Sequence, residues 1–249
     1  MKRVLTLPLH WLLGRFDYEI VRKPQPMSPS EFPPDFTPEE IADYRAVEPY
    51  TLTGPLRTVS LMRALEYLVR QRIPGDIVEC GVWKGGSMMA AARALLRLQE
   101  TSRQLWLFDT FTGMSAPTAE DVSVCQISAE EDYKGTYLRV GLEEVRSAVL
   151  STGYPQEQIR FVEGKVEDTI PAQIPEQIAL LRLDTDWYES TRHELLHLFP
   201  RLVRGGVLII DDYGHWQGAR KASDEYFAAN NVAILLNRID FSARIAVKL

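Results

Sequence analysis

Acidic side chains recur where apolar runs stop. Glu79 and Asp109 close two such runs, Asp184 a third, and the pair Asp211-Asp212 a fourth. The first is followed by glycines, in Glu79-Cys80-Gly81-Val82-Trp83-Lys84-Gly85-Gly86-Ser87. Glycine permits a tight turn and close backbone approach, so a ligand can rest against this stretch. The spacing is G-x-x-x-G-G. It matches neither the dinucleotide G-x-G-x-x-G nor the P-loop G-x-x-x-x-G-K-[ST], which speaks against NAD and ATP. Asp109 ends the second run, the place from which an acid takes ribose hydroxyls. Asp184, Asp211 and Asp212 are separated by one crossover, so their strands are expected side by side with both ends on one rim. Few cations stand near them in sequence, and clustered carboxylates repel unless a ligand or metal offsets the charge. Hard oxygen donors of this kind suit Mg²⁺. Asp186 is the competing ligand. His215, in Gly214-His215-Trp216, is placed to contact a substrate or take a proton.

A second pattern is set aside. His193-Glu194-Leu195-Leu196-His197 matches the zinc-protease H-E-x-x-H. It lies inside a helix whose leucines indicate packing, and no third ligand is placed by the sequence.

The elements that position these groups alternate. The apolar run Ile77-Val78 reads as a buried parallel strand, and an alanine-rich helix spans roughly 87–98. Residues 104–109 form the second strand, 113–137 a long loop on the ligand edge, and 141–150 a helix. Strands follow at 159–164 and 178–184, with a short helix starting over 165–170 between them. A helix over 188–202 leads through the turn Gly205-Gly206 into a strand over 207–212. A helix over 218–230 precedes two final strands, 232–239 and 242–248, paired as a hairpin near Asp240. The expected fold is α/β: a Rossmann-like, seven-stranded, mostly parallel sheet with helices on both faces and a C-terminal antiparallel hairpin.

Ahead of it, Met1 to Phe16 carries an apolar patch behind Lys2 and Arg3. Pro8 and His10 interrupt the patch, so it reads as a peripheral arm rather than a signal peptide. Residues 24–38 are proline-rich and read as an extended linker. Thr37-Pro38-Glu39-Glu40 is a capping-box helix start, and a second helix runs over 54–71. Residues 1–53 are thus expected as arm, linker and helical lid, and 54–249 as the main domain. Tyr44, Tyr50 and Thr51 are candidate substrate contacts from that lid.

The chain has 249 residues and a formal net charge of -6, which disfavours a nucleic-acid backbone as partner. No apolar run spans a bilayer. Two cysteines, Cys80 and Cys125, give no disulfide framework and suit a cytoplasmic protein. The apolar arm suggests a homo-oligomer.

Four motifs together carry a resemblance. They are Glu79 to Ser87; Phe108-Asp109-Thr110-Phe111-x-Gly113-Met114; Leu183-Asp184-x-Asp186-x-Tyr188-Glu189-Ser190-Thr191; and Asp211-Asp212-Tyr213. From about residue 50 to 230 the chain resembles the macrocin O-methyltransferase (TylF-type) family, class I S-adenosylmethionine methyltransferases that use Mg²⁺. Several members methylate sugar hydroxyls on antibiotics. The resemblance implies a cofactor site of Glu79, Gly81, Ser87, Asp109 and Thr110, with Gly164, Val166 and Glu167 bordering the adenine. It implies that Asp184, Asp211 and Asp212 hold the metal. The expected activity is Mg²⁺-dependent methyl transfer to a hydroxyl of a sugar or other vicinal diol, on a small, glycosylated natural product. Asp184 or His215 would take the proton. An NAD-dependent oxidoreductase and a non-catalytic cofactor-binding module are the competing readings.

Overall fold

The computed structural model describes residues 32–132 and 138–249. The arm over 1–16 and most of the proline linker lie outside them, as does part of the long loop. The chain divides into two units, Met1–Asp35 and Phe36–Leu249.

Helix α1 (Pro38–Val47) begins with the expected capping box: Thr37 and Glu40 each accept the other's backbone amide. It belongs to the compact body. Glu40 pairs with Arg63 at 2.7 Å, and Asp43 pairs with Arg93 at 2.8 Å and with Arg97. These arginines lie on α2 (Pro55–Arg70) and α3 (Gly86–Arg97). Between those helices runs β1 (Asp76–Cys80). Then come β2 (Leu105–Asp109), the short α4 (Ala129–Asp132), α5 (Leu142–Leu150), β3 (Ile159–Glu163), α6 (Val166–Thr169) and β4 (Ile178–Leu183). Helix α7 (Tyr188–Leu198), β5 (Leu202–Ile210), α8 (Gln217–Ala229), β6 (Asn237–Arg238) and β7 (Arg244–Val247) complete the body.

The strands form one seven-stranded sheet in the order β3-β2-β1-β4-β5-β7-β6. Strands β1 to β5 are parallel, and β7 runs antiparallel to β5 and β6. Both faces are covered, so strand residues are apolar on both sides. Ile77, Leu105, Leu107 and Leu180 pack with α2, α3 and α5. Val78, Cys80, Leu181 and Leu183 pack with α7 and α8.

Three boundaries differ from the sequence reading. Helix α7 stops at Leu198, and a single 3-10 turn, Phe199–Arg201, passes Pro200, which has no amide hydrogen to continue the ladder. Strand β5 starts at Leu202 and contains Gly205-Gly206. Its register against β4 jumps from Ile178–Leu202 to Leu180–Val207, so the glycines form a bulge rather than a turn. The terminal hairpin is short. Val232, Ile234 and Leu236 do alternate, packing on the α7–α8 side, but the ladder begins only at Asn237.

Candidate functional site

The carboxyl ends of β1, β2, β4 and β5 open onto one cavity of about 560 Å³. That is the size of small-molecule sites. One half is built by the turn after β1. Gly81 has φ +83°, and a Cβ there would lie 1.9 Å from the Asp184 carbonyl oxygen, so only glycine lets β1 and β4 close this tightly. Asp109 secures the turn. Its Oδ2 accepts the amides of Val82 at 2.7 Å and Trp83 at 3.0 Å, and its Oδ1 accepts that of Phe111 at 2.8 Å. Gly81, Ser87, Asp109, Thr110, Gly164, Val166 and Glu167 all line this cavity. Glu79 does not. It is 2% exposed and lies beneath the turn, where Arg182 holds it.

The other half is acidic. Asp184, Asp186 and Asp212 each offer an oxygen, and these lie within 4.8 Å of one another. Asp211 stands apart from that trio. Its Oδ1 accepts from Arg182 at 2.7 Å, and its Oδ2 takes Arg57, which also reaches Asp240 at 2.6 Å. The expected ligand set was Asp184, Asp211 and Asp212. The three that group within 4.8 Å are Asp184, Asp186 and Asp212, while Asp211 is held by Arg57 and Arg182. Trp187, the next residue, is the N-cap of the following helix, and Asp186 itself has φ +67°, a left-handed turn that folds its carboxylate back toward Asp212.

The electrostatics follow. Burial pushes the carboxyls of Asp184 and Asp212 well above the usual range, and the neighbouring acids add to it. Burial raises Asp186 to about 7. Glu79 is also pushed up to about 7 by burial, against the pull of Arg182. Oδ2 of Asp212 is buried and accepts no hydrogen bond. An uncompensated buried acceptor beside two more acids is a place for a cation.

The view that these acids lack a nearby cation does not survive. Arg182 stands two residues before Asp184, 3% exposed, and Arg57 arrives from α2. Sequence reasoning passed over both. The signal was available for Arg182: an arginine inside the apolar run of β4 must be paired to be buried. Arg57 comes from 154 residues away and left no local trace.

His215 lines the acidic half, three residues past Asp212, with its ring edge-on to Trp216 at 4.9 Å. Trp216 lines the same end and is backed by Trp187 at 5.1 Å. Tyr50 and Thr51 line the cavity as expected of the leading segment; Tyr44 is in the core and does not. The H-E-x-x-H residues are structural. Nε2 of His193 bonds the Ile170 carbonyl at 2.9 Å, and buried Glu194 accepts from Thr185 at 3.0 Å. Cys80 is buried and Cys125 exposed, both as free thiols. Among the described residues no helix is long and apolar enough to cross a membrane.

Comparison with known proteins gives the family. The family model described as Macrocin-O-methyltransferase (TylF) matches residues 20–246. A Streptomyces olivaceus protein named 8-demethyl-8-(2,3-dimethoxy-alpha-L-rhamnosyl)-tetracenomycin-C 4'-O-methyltransferase is 36% identical over 192 residues, covering 77% of this chain and 72% of its own. The demethyldecarbamoylnovobiocin O-methyltransferase of Streptomyces niveus is 34% identical, with the same shares of 77% and 72%. The solved structure of the O-methyltransferase NovP superposes with a TM-score of 0.73 at 31% identity, over 80% of this chain and 82% of that one. The glycine turn, the strand-end acids and these matches identify the chain as a member of the macrocin O-methyltransferase (TylF) family, an S-adenosylmethionine-dependent O-methyltransferase.

Proposed function

We propose that this enzyme methylates a hydroxyl of a sugar, or of another vicinal diol, on a small glycosylated natural product, with Mg²⁺ at its acidic end. The observation that carries the reading is the trio Asp184, Asp186 and Asp212, grouped within 4.8 Å in the same cavity as the glycine turn. The relatives support the acceptor class: one is named for a rhamnosyl tetracenomycin, the other for demethyldecarbamoylnovobiocin.

The residues fit a divalent cation. All donors are carboxylate oxygens, Oδ2 of Asp212 is buried without a partner, and the three acids are destabilised as a charged set. Asp184, Asp186 and Asp212 would hold it. When bound, Mg²⁺ supplies positive charge that orients vicinal oxygens and acidifies the reacting hydroxyl.

The chain's own residues do the rest. The Gly81–Ser87 turn and Asp109 seat the methyl donor beside that hydroxyl, and orientation is the larger part of the rate enhancement. Asp184 has one oxygen on Arg182 at 2.6 Å, and the other would serve the cation, so His215 is the group left to take the proton. Trp216, backed by Trp187, shields this end from water.

The test is product analysis. The protein is incubated with methyl-labelled S-adenosylmethionine and a panel of aryl glycosides, and products are read by mass spectrometry. The expected result is one added methyl on a sugar hydroxyl that has a free neighbour. Transfer only to phenols or carboxylates would overturn the reading.

A further inference from the structure

On β4 side chains alternate between faces, so Leu180, Arg182 and Asp184 share one. The register places Glu79 of β1 directly beside Arg182 and Ile209 of β5 on its other side. Asp211 follows Ile209 by two and falls on the same face. A row that is apolar deeper in the sheet, at Ile77, Leu180 and Val207, thus turns ionic at its carboxyl end, with Arg182 at the centre.

The contacts match that placement. Nη1 of Arg182 donates to Glu79 Oε1 at 2.5 Å and to Asp184 Oδ2 at 2.6 Å, and Nη2 donates to Asp211 Oδ1 at 2.7 Å. One guanidinium therefore binds acids from three strand ends. Glu79 lies under the cofactor turn, whereas Asp184 and Asp211 belong to the acidic half. The backbones meet at the same level, where the Asp184 amide donates to the Cys80 carbonyl at 2.9 Å.

We propose that Arg182 is a positioning residue for methyl transfer: it fixes the acidic half against the cofactor turn and holds Asp184 by one oxygen, leaving the other for the site. A planar fork with several donors can do this, whereas a lysine ammonium supplies the charge without the geometry. The proposal rests on the reading that transfer takes place over Asp184.

The experiment compares wild type with Arg182→Lys and Asp184→Asn. It measures melting temperature, calorimetric affinity for S-adenosylhomocysteine, Mn²⁺ affinity by electron paramagnetic resonance, and kcat and KM on an accepted aryl glycoside. For Arg182→Lys we expect a folded protein and S-adenosylhomocysteine affinity within about threefold of wild type. Mn²⁺ binding should weaken by about tenfold or more, and kcat should drop about 100-fold with KM little changed. Wild-type kcat and Mn²⁺ affinity in Arg182→Lys would overturn the proposal, because charge alone would then suffice. If Arg182→Lys does not fold, the paired change Arg182→Met with Glu79→Met removes one cation and one acid together and is put through the same measurements. Wild-type kcat in that folded pair overturns the proposal equally. An Asp184→Asn enzyme of full activity would instead remove the reading beneath it, which keeps the two failures distinct.

Discussion

The two halves of the cavity are built by different means. The cofactor half is a main-chain structure. One carboxylate, Asp109, gathers three backbone amides within 3.0 Å, and glycine supplies the positive φ that brings them there. Its parts lie close in sequence, on one strand-turn-helix and the next strand. The acidic half is a side-chain structure. It collects carboxylates from the ends of β4 and β5 and from the Asp240 turn around two arginines. The first half can hold its shape without a ligand, because every carboxylate oxygen of Asp109 already has a donor. The second keeps three acids that repel one another. The contrast implies that binding of the methyl donor and methyl transfer can be separated by substitution.

The largest expected effect falls on the acidic half. Asp212→Asn removes a charged donor from the trio and should lower transfer by about a thousandfold, with S-adenosylmethionine affinity unchanged by calorimetry. A parallel loss of cofactor affinity would break the division between the halves. His215→Ala should lower kcat by about 100-fold, again at constant cofactor affinity, since a positioned proton acceptor contributes at least that much. Stopped-quench kinetics reads it; an unchanged kcat would return the proton to Asp184.

The cofactor half should behave the other way. Asp109→Ala strands the amides of Val82, Trp83 and Phe111, at a cost of about 1–3 kcal/mol. Cofactor affinity should drop by about tenfold or more, and the melting temperature should fall by several degrees. A turn that keeps both would show that the amides find water or another acceptor. The smallest effect is in pH dependence. Glu79 rises from 4.5 to about 7 on folding. Its contribution to stability is therefore fully present below about pH 4.5 and is lost as pH climbs through about 7. Glu79→Gln does not titrate, so its melting temperature should decline less than that of wild type between these limits. Identical slopes would assign the decline to other groups.

The same contrast explains what the sequence disclosed. Apolar runs closed by acids and helical patterns over 76–230 are local, and they yielded the order of elements that the sheet confirms. Adjacent strands β4 and β5 followed from crossover handedness. The glycine turn was legible as a motif because a turn is written in neighbouring residues. The grouping of Asp186 with Asp184 and Asp212 was not, because Asp211 is drawn aside by Arg57, 154 residues from its partner. The length of the terminal hairpin was overread for a related reason: alternation at Val232, Ile234 and Leu236 records burial, and burial here comes from helices rather than from a strand partner.

The most direct test of the two-part site is single-turnover methyl transfer in enzyme stripped with EDTA, read beside the calorimetric affinity for S-adenosylhomocysteine in the same sample. The account predicts affinity within about twofold of untreated enzyme, transfer slowed by at least about 100-fold, and full recovery on adding Mg²⁺. Transfer at the untreated rate in EDTA would contradict it and leave Asp184, Asp186 and Asp212 a structural cluster.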